Sequence, residues 1–250
     1  MGVRVEYGER WAVIQLSGCS GCPSAVFSSP VLQDLVYSMP VAYFPMVTDS
    51  QRILSADIAV VSGAVCKRAE EELLKRVRES CSKLVALGTC AVYGGVVSRE
   101  VESAKAVPEV VEVDQVIPGC PPPEKLVGEF LIAEVSGGEF RLPSYNVCKE
   151  CPRAPLRRKP PIRVRYLEPP EELQAKACFL DHETLCLGPV TRGGCGAVCI
   201  ELGVPCHGCL GPPAKSYTSQ LANFLSILDI QLEKSKLMQF VSRYIRVGVL

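Results

Sequence analysis

The sequence predicts an α/β protein, in which a doubly wound parallel sheet is followed by a small, irregular domain rich in cysteine. Short apolar runs alternate with amphipathic stretches through the first half of the 250 residues, the order typical of parallel sheets with crossover helices. After Ser136-Gly-Gly, aliphatic runs give way to proline, arginine and cysteine. A hydrophobic fraction of 48% is that of a packed globular protein, so the fourteen cysteines are not needed as disulfide staples.

The first predicted strand covers residues 11–16, an apolar run that ends at Ser17-Gly18. Pro23 suits the first turn of the helix that follows, and we expect this helix to continue to about Tyr37. Further strands are predicted at residues 41–46, 57–62, 83–87 and 111–117, with helices at residues 64–80 and 124–135. This alternation predicts a sheet of the flavodoxin type within a domain of residues 1–138.

Four cysteines come directly after three of these predicted strands: Cys19, Cys22, Cys90 and Cys120. In an open α/β sheet, the carboxyl ends of the strands border the crevice in which ligands bind. Three separate loops are therefore expected to bring four thiols to one edge of the sheet. Four thiols are the ligand set of one [4Fe–4S] cluster, so the sequence predicts an iron–sulfur site at this edge.

Residues 139–215 are predicted to form a second, cluster-binding domain. Between Cys186 and Cys209, five cysteines are interleaved with six glycines and two prolines, which suits a chain that wraps tightly around an inorganic core. The eight cysteines of this half are predicted to form two further sets of four, namely Cys148, Cys151, Cys178 and Cys186, and Cys195, Cys199, Cys206 and Cys209.

Residues 216–250 are expected to form a helical tail. Apolar residues recur there at spacings of three or four, as at Leu221, Phe224, Leu225, Leu228 and Leu232. Such a pattern is more often that of a core or subunit-docking helix than that of a chemical site.

Two cysteines and one histidine stay outside the three sets. Cys81 ends a predicted helix and is expected to be a small buried hydrophobe. Cys66 follows the third predicted strand, and the sequence allows it two roles: a thiol beside the cluster or a ligand of the cluster. His207 lies inside the last C-x2-C pair, but the thiol count is complete without it. Zinc is the alternative metal, although zinc knuckles usually space two cysteine pairs about a dozen residues apart.

Charge and hydropathy exclude several function classes. The formal net charge is zero, which gives no general reason to expect binding to nucleic acid or acidic lipid. No apolar run approaches transmembrane length, so the chain is not expected to span a membrane. The first ten residues carry acids and lead into a strand rather than a signal peptide, which predicts a cytoplasmic protein.

With these motifs the chain closely resembles the small, electron-transferring subunit of [NiFe] hydrogenases. The matching segments occur in the family's order between residues 14 and 213: Gly18-Cys-Ser-Gly-Cys22, Gly88-Thr-Cys-Ala-Val-Tyr-Gly-Gly95, Pro118-Gly-Cys-Pro-Pro122, Cys186-Leu-Gly-Pro-Val-Thr-Arg-Gly-Gly-Cys195 and Pro205-Cys-His-Gly-Cys209. The resemblance implies a flavodoxin-like domain followed by a cluster domain. It also implies a separate large subunit, whose nickel–iron site splits H2.

The resemblance further implies which thiols hold which cluster. Cys19, Cys22, Cys90 and Cys120 would hold the proximal cluster, nearest the nickel–iron site; Cys195, Cys199, Cys206 and Cys209 would hold the medial one, and Cys148, Cys151, Cys178 and Cys186 the distal one. Periplasmic and membrane-bound members have His at the position of Cys148 and Pro at that of Cys199. Cysteine at both positions implies three all-cysteine [4Fe–4S] clusters. No residue of this chain is then expected to be catalytic toward substrate.

Two segments look most like the gamma subunit of the F420-non-reducing (methyl-viologen-reducing) hydrogenases, Cys148-Lys-Glu-Cys-Pro-Arg153 and the run from Cys186 to Cys195. Those enzymes work with a heterodisulfide reductase in methanogens, so the implied partner is a flavin or iron–sulfur acceptor of that kind. The sulfhydrogenase delta subunit, which passes electrons to an NAD(P)-linked flavin subunit, is the alternative. The complex I subunit with the same N-terminal fold is less similar, because it uses adjacent cysteines and lacks the eight-cysteine half. A zinc-binding scaffold is the non-redox alternative.

Overall fold

The computed structural model describes residues 10–35, 40–46, 56–153, 155, 160–169, 177–213 and 217–245. The chain divides into two compact units, Met1–Arg141 and Leu142–Leu250. Each unit has its own sheet and its own buried core.

The first unit is built on a parallel sheet of five strands. The strands are β1 (Trp11–Gln15), β2 (Val41–Tyr43), β3 (Ile58–Ser62), β4 (Lys83–Leu87) and β5 (Gln115–Ile117), and they lie in the order β2-β1-β3-β4-β5. Every pairing is parallel, and β1 runs in register with β3 from Trp11 opposite Ile58 to Gln15 opposite Ser62. This is the strand order of flavodoxin-like sheets, so the predicted fold class is confirmed.

Helices connect these strands and cover the sheet. They are α1 (Gly21–Phe27), α2 (Pro30–Leu35), α3 (Arg68–Ser80), α4 (Thr89–Tyr93), α5 (Val97–Glu100) and α6 (Glu124–Ser136). All five residues of β3 are buried, as expected of a strand at the centre of a sheet covered on both faces. On α3, Leu74 and Val77 face this core, while Phe130 of α6 packs edge-to-face against Trp11.

The boundaries of several elements differ from the predicted ones. The helix predicted from Pro23 to Tyr37 is two helices, because Pro30 has no N–H with which to continue α1 and instead starts α2; residues 36 and 37 lie outside the described residues. The strands predicted at 41–46 and 111–117 keep only the parts that find a neighbour to pair with, 41–43 and 115–117.

The helix predicted to begin at residue 64 begins at Arg68. Ala64 and Val65 instead form single β-bridges with Ser17 and Lys105, so this segment is extended. The extended segment holds the loop after β3 beside the loop after β1, which is the loop that carries the first two cysteines of the unit.

The second unit has a two-stranded parallel sheet of β6 (Ile162–Val164) and β7 (Leu228–Ile230). Its helices are α7 (Val198–Glu201), α8 (Tyr217–Ser226) and α9 (Lys234–Val241). The prediction of a continuous helical tail is therefore wrong at residues 228–230, where β7 pairs with β6 between α8 and α9. Much of the rest of this unit consists of short 3₁₀ turns and loops that carry the cysteines. None of the helices in the described ranges combines the length and the apolar character that crossing a bilayer requires.

Candidate iron–sulfur cluster sites

The first group of thiols lies at the carboxyl ends of three strands of the first unit. Cys19 and Cys22 follow β1, with Cys22 in the first turn of α1. Cys90 lies in the first turn of α4, immediately after β4, and Cys120 follows β5. Parallel strands end at the same edge, so the sheet delivers these four side chains to one place.

These four thiols are neighbours. A pocket at this edge has Cys19, Cys22 and Cys90 among its lining residues. Burial raises the pKa of Cys22 to about 12, and the proximity of Cys90, Cys120 and Cys19 adds to the shift. Burial likewise raises the pKa of Cys120, with Cys90 and Cys19 as further contributors. Thiols that resist ionisation in water become ligands when a metal replaces the proton.

Glycines make the close approach of these loops possible. A Cβ added to Gly88 would lie 2.2 Å from the Sγ of Cys22, and one on Gly95 would lie 2.8 Å from the Sγ of Cys90. Both glycines have positive φ angles, which side chains disfavour. The chain therefore leaves space at the sulfur atoms where any larger residue would intrude.

Hydrogen bonds tie the Cys90 loop to the Cys120 loop. Thr89 donates its N–H to the carbonyl oxygen of Gly119 at 2.8 Å, and its hydroxyl accepts from the Gly119 N–H at 3.0 Å. Gly88 donates its N–H to the carbonyl oxygen of Ile117 at 2.7 Å. Since Thr89 is buried, these bonds are shielded from water, and they fix the two thiols relative to each other.

A fifth thiol, that of Cys66, lies near this group. Its proximity contributes to the raised pKa of Cys90, which burial raises first. The Glu70 carboxylate accepts hydrogen bonds from the N–H groups of Cys66 and Lys67, at 2.8 and 3.0 Å, and from the Ser17 hydroxyl at 2.8 Å. The carboxylate thus fixes this loop beside the site. Cys81, by contrast, is 8% exposed and packs in the apolar core, as expected of a small buried hydrophobe.

The second group of thiols gathers Cys148, Cys151, Cys178 and Cys186. Cys148 is exposed as a residue, but desolvation of its thiol raises the pKa of Cys148 to about 12, with the proximity of Cys178, Cys151 and Cys206 as further causes. Cys186 is buried, and burial raises the pKa of its thiol as well, with Cys206 and then Cys148 adding to the effect.

The surroundings of this second group fit a cluster with thiolate ligands. A Cβ on Gly188 would lie 3.3 Å from the Sγ of Cys148 and 3.6 Å from that of Cys186, so glycine leaves a cradle beside two sulfurs. Backbone N–H groups already point at sulfur atoms: Arg153 donates to Cys151 at 3.4 Å and Cys206 to Cys186 at 3.3 Å. Such N–H···S bonds are a means by which proteins tune iron–sulfur clusters.

The third group occupies the loop around α7. Burial raises the pKa of Cys206 to about 11. A hydrogen bond from Thr191 acts to lower this pKa, whereas nearby Cys195 and Cys199 act to raise it. Burial raises the pKa of Cys195 too, with Glu150 and Cys199 as charged or ionisable neighbours. Cys209 is half-buried and follows Cys206 by three residues. The second and third groups adjoin where Cys206 meets Cys186.

His207 has a partner other than a metal. Arg243 approaches the Nδ1 of His207 at 2.9 Å, and because a guanidinium can only donate, Nδ1 accepts this bond. The ring also packs edge-to-face against Phe240, with centroids 4.8 Å apart. Burial and then Arg243 lower the pKa of His207, which favours the neutral ring. With Nδ1 bonded to Arg243 and the ring packed on Phe240, His207 lies outside the proposed ligand sets.

Within the described ranges, no three His, Cys, Asp or Glu side chains stand close enough together to bind a single metal ion. A [4Fe–4S] cluster has different requirements, since its four irons each take one thiolate and the ligands stand around a cubane. Each of the three thiol groups has the four cysteines that such a cluster takes as ligands.

The sequence did not point to the carboxylates that organise these loops. Glu70 accepts hydrogen bonds from the N–H groups of Cys66 and Lys67. Glu150 accepts them from the N–H groups of Gly194 and Gly196, which flank the predicted ligand Cys195. The backbone N–H partners of Glu70 lie three and four residues away in the sequence, whereas those of Glu150 lie more than forty residues away. An acidic residue inside a C-x2-C pair, as in Cys148-Lys-Glu-Cys151, is the one signal that singles out Glu150.

Comparison with known proteins places the chain among hydrogenase subunits. The family model described as NADH ubiquinone oxidoreductase, 20 Kd subunit, matches residues 19–133. The chain is 32% identical over 238 residues to a subunit of the F420-non-reducing hydrogenase vhu of Methanocaldococcus jannaschii, with 82% of each chain covered. It is 31% identical to the corresponding subunit of Methanococcus voltae over 81% of this chain and 82% of the other. It is 33% identical to the delta subunit of sulfhydrogenase 2 of Pyrococcus furiosus over 80% and 85%.

Solved structures agree on the fold. A chain of the [NiFeSe]-hydrogenase of Dm. baculatum superposes with a TM-score of 0.61 at 20% identity, over 82% of this chain and 95% of the other. A chain of an NAD+-reducing [NiFe]-hydrogenase gives a TM-score of 0.50 at 26% identity, over 54% of this chain and 96% of the other. The similarity in sequence to the hydrogenase subunits thus extends over most of the chain, and so does the similarity in fold to the [NiFeSe]-hydrogenase chain.

Proposed function

Because the chain belongs to the family of [NiFe] hydrogenase small subunits that includes those of the F420-non-reducing hydrogenases, we propose that it conducts electrons through three [4Fe–4S] clusters. The electrons would pass between the nickel–iron site of a large subunit and a flavin or iron–sulfur partner of the heterodisulfide reductase type. We place the complex in the cytoplasm. The observation that carries the proposal is the convergence of thiols from three strand-end loops at one edge of the sheet, together with eight more thiols in the second unit.

Each ligand set has its own proposed cluster. Cys19, Cys22, Cys90 and Cys120 hold the proximal cluster; Cys195, Cys199, Cys206 and Cys209 hold the medial cluster, and Cys148, Cys151, Cys178 and Cys186 the distal one. A bound cluster supplies one-electron redox chemistry. The residues of this chain hold the clusters in place, exclude water through burial of Cys186 and Cys206, and direct backbone N–H groups at sulfur.

The Pyrococcus furiosus relative supports a second candidate for the electron acceptor. Its sulfhydrogenase delta subunit matches at 33% identity, as high as the methanogen subunits. In that alternative the same three clusters lead to an NAD(P)-linked flavin subunit. The two candidates differ only in the protein that receives the electrons, and copurification of the native complex distinguishes them.

The experiment that tests the proposal separates H2 splitting from electron conduction. In the native complex, D2/H+ exchange needs only the nickel–iron site, whereas reduction of methyl viologen also needs the path through this chain. We expect Cys178→Ser to lower H2-dependent viologen reduction by about tenfold or more while exchange persists, because losing a ligand removes one cluster from the path.

Cys81→Ser is the matched control, since Cys81 lies in the apolar core and outside the proposed sets. We expect that variant to keep both activities. Full viologen reduction in Cys178→Ser would contradict the proposed path, and so would an equal loss in the Cys81→Ser control.

A further inference from the structure

We propose that Glu150 sets the reduction potential of the cluster held by the Cys195 set, by placing a negative charge beside Cys195. The inference rests on the proposed function, since it assumes a cluster on that set. Glu150 is not a ligand. It lies in the loop between Cys148 and Cys151, which belong to the neighbouring set, and reaches across to the loop of Cys195.

The contacts of the Glu150 carboxylate are well defined. Oε1 accepts hydrogen bonds from the N–H of Gly194 at 2.8 Å and from the hydroxyl of Tyr145 at 2.7 Å. Oε2 accepts from the N–H of Gly196 at 3.0 Å. All three partners donate, which is the arrangement that an ionised carboxylate requires. Gly194 and Gly196 flank Cys195 in the sequence, so the carboxylate is bonded to the backbone on both sides of this residue.

The surrounding residues hold this geometry in place. Gly193 donates its N–H to the carbonyl oxygen of Tyr145 at 2.8 Å. A Cβ on Gly193 would lie 2.3 Å from the Tyr145 ring, so the ring lies directly against this glycine. The Lys149 ammonium lies over the Tyr145 ring, 4.6 Å from its centroid. The three donors to the Glu150 carboxylate are neutral groups, so these hydrogen bonds orient its charge and offset it only in part.

The effect on a cluster follows from electrostatics. Reduction adds an electron, and a fixed negative charge nearby makes the reduced state less favourable, especially in a partly buried site where the charge is weakly screened. Glu150 also occupies two N–H groups beside Cys195 that would otherwise be free to donate to sulfur, and such bonds raise the potential of a cluster. Both effects act in the same direction and lower the potential.

The role links the two loops that carry the second and third thiol groups. The same residue that fixes the Cys195 loop lies between two thiols of the other set, so the position of one loop is fixed by the other. Glu150 is thus a positioning residue with an electrostatic effect, and its test needs a readout that a purely structural role would leave unchanged.

The test is a redox titration of the native complex, followed by electron paramagnetic resonance and analysed cluster by cluster. The signal of the Cys195 set is assigned by its change in Cys199→Ser. In Glu150→Gln we expect that signal alone to move to a higher potential, by about 59 mV, which corresponds to a tenfold change in the one-electron equilibrium. Glu150→Asp keeps the charge on a shorter side chain and is expected to move the signal clearly less than Glu150→Gln does. Glu233→Gln, which removes an exposed charge at the start of α9, is not expected to move it.

Tyr145→Phe gives a result of opposite sign. It removes a donor but keeps both the carboxylate and the ring against Gly193, so the charge is less compensated and the potential falls. If Glu150→Gln fails to load its clusters, the shift of the potential in Tyr145→Phe tests the proposal in its place.

The inference is overturned by full iron content with unchanged potentials in Glu150→Gln, by equal shifts in Glu150→Gln and Glu150→Asp, or by no shift in Tyr145→Phe. A wild-type complex without the signal would instead contradict the proposed function itself.

Discussion

At the scale of single residues, the space beside the sulfur atoms depends on glycine. Gly88 has a φ of +86°, and an added Cβ would lie 2.2 Å from the Sγ of Cys22. We expect Gly88→Ala to displace Cys22 and to reduce the iron bound by the first unit by about four atoms per chain, the content of one [4Fe–4S] cluster. Iron analysis of the purified native complex measures this loss.

Gly137→Ala is the matched control for backbone strain. Gly137 also has a positive φ, of +68°, but an added Cβ would meet nothing within 4 Å. This variant is expected to keep its iron and to lose only about 1 to 2 kcal/mol of stability from the left-handed backbone. Equal iron loss in the two variants would show that strain, rather than contact with Cys22, is responsible.

Residue types and spacing were enough to propose the first ligand set, because a thiol directly after a strand has only one edge of the sheet to occupy. The partners of those thiols were not predictable in the same way. Glu150 contacts Gly194 and Gly196 only because two loops far apart in the sequence meet. No local sequence pattern predicts that contact. The same holds for Thr89, whose partner Gly119 is thirty residues away.

At the scale of elements, Asp114 joins three parts of the first unit. Its carboxylate accepts the N–H of Leu84 on β4 at 2.7 Å and pairs with Arg78 of α3, just before β5 begins. Burial opposes ionisation of this carboxyl, but the Leu84 N–H and Arg78 outweigh it, so the pKa of Asp114 is lowered.

A lowered pKa means that Asp114 stabilises the fold at neutral pH and loses this effect as the pH falls through the folded value. We expect Asp114→Asn to reduce the free energy of unfolding by about 1 to 2 kcal/mol at pH 7, a value discounted for partial exposure. The difference from wild type should shrink below the unfolded pKa of about 3.9.

Denaturant unfolding, followed through Trp11 as the single tryptophan, measures both values. Glu139→Gln is the control, because its pair with Arg141 is mostly exposed and should contribute little. A difference between wild type and Asp114→Asn that stays constant down to pH 3 would contradict the assigned cause.

The order of the elements was predictable, while their ends were not. Apolar runs located all five strands of the first sheet, but β2 and β5 extend only as far as a neighbouring strand pairs with them. The C-terminal tail was predicted less well, because one of its segments has the wrong type of secondary structure. Leu228 fits a helical spacing with Phe224 and Leu225, yet it starts β7, because β6 offers the backbone of residues 228–230 a pairing partner from more than sixty residues away. The spacing of apolar residues within a segment gives no information about a strand far away in the sequence that will pair with it.

At the scale of the whole molecule, the fold class and the family were predictable because cysteine motifs and strand order support the same conclusion. The sheet order β2-β1-β3-β4-β5 places the loops after β1, β4 and β5 at one edge, as the alternating pattern implied. The second unit was harder, since its loops and 3₁₀ turns follow no periodic pattern. There, cysteine spacing was the only guide to which residues come together.

The central claim, three all-cysteine [4Fe–4S] clusters in this chain, is tested most directly by counting iron, acid-labile sulfide and zinc in the anaerobically purified native complex. The account predicts about twelve irons and about twelve sulfides attributable to this subunit, and no stoichiometric zinc. About eight of each would mean that one ligand set is wrong, with the set containing Cys178 the first to re-examine. Zinc without sulfide would contradict the account altogether.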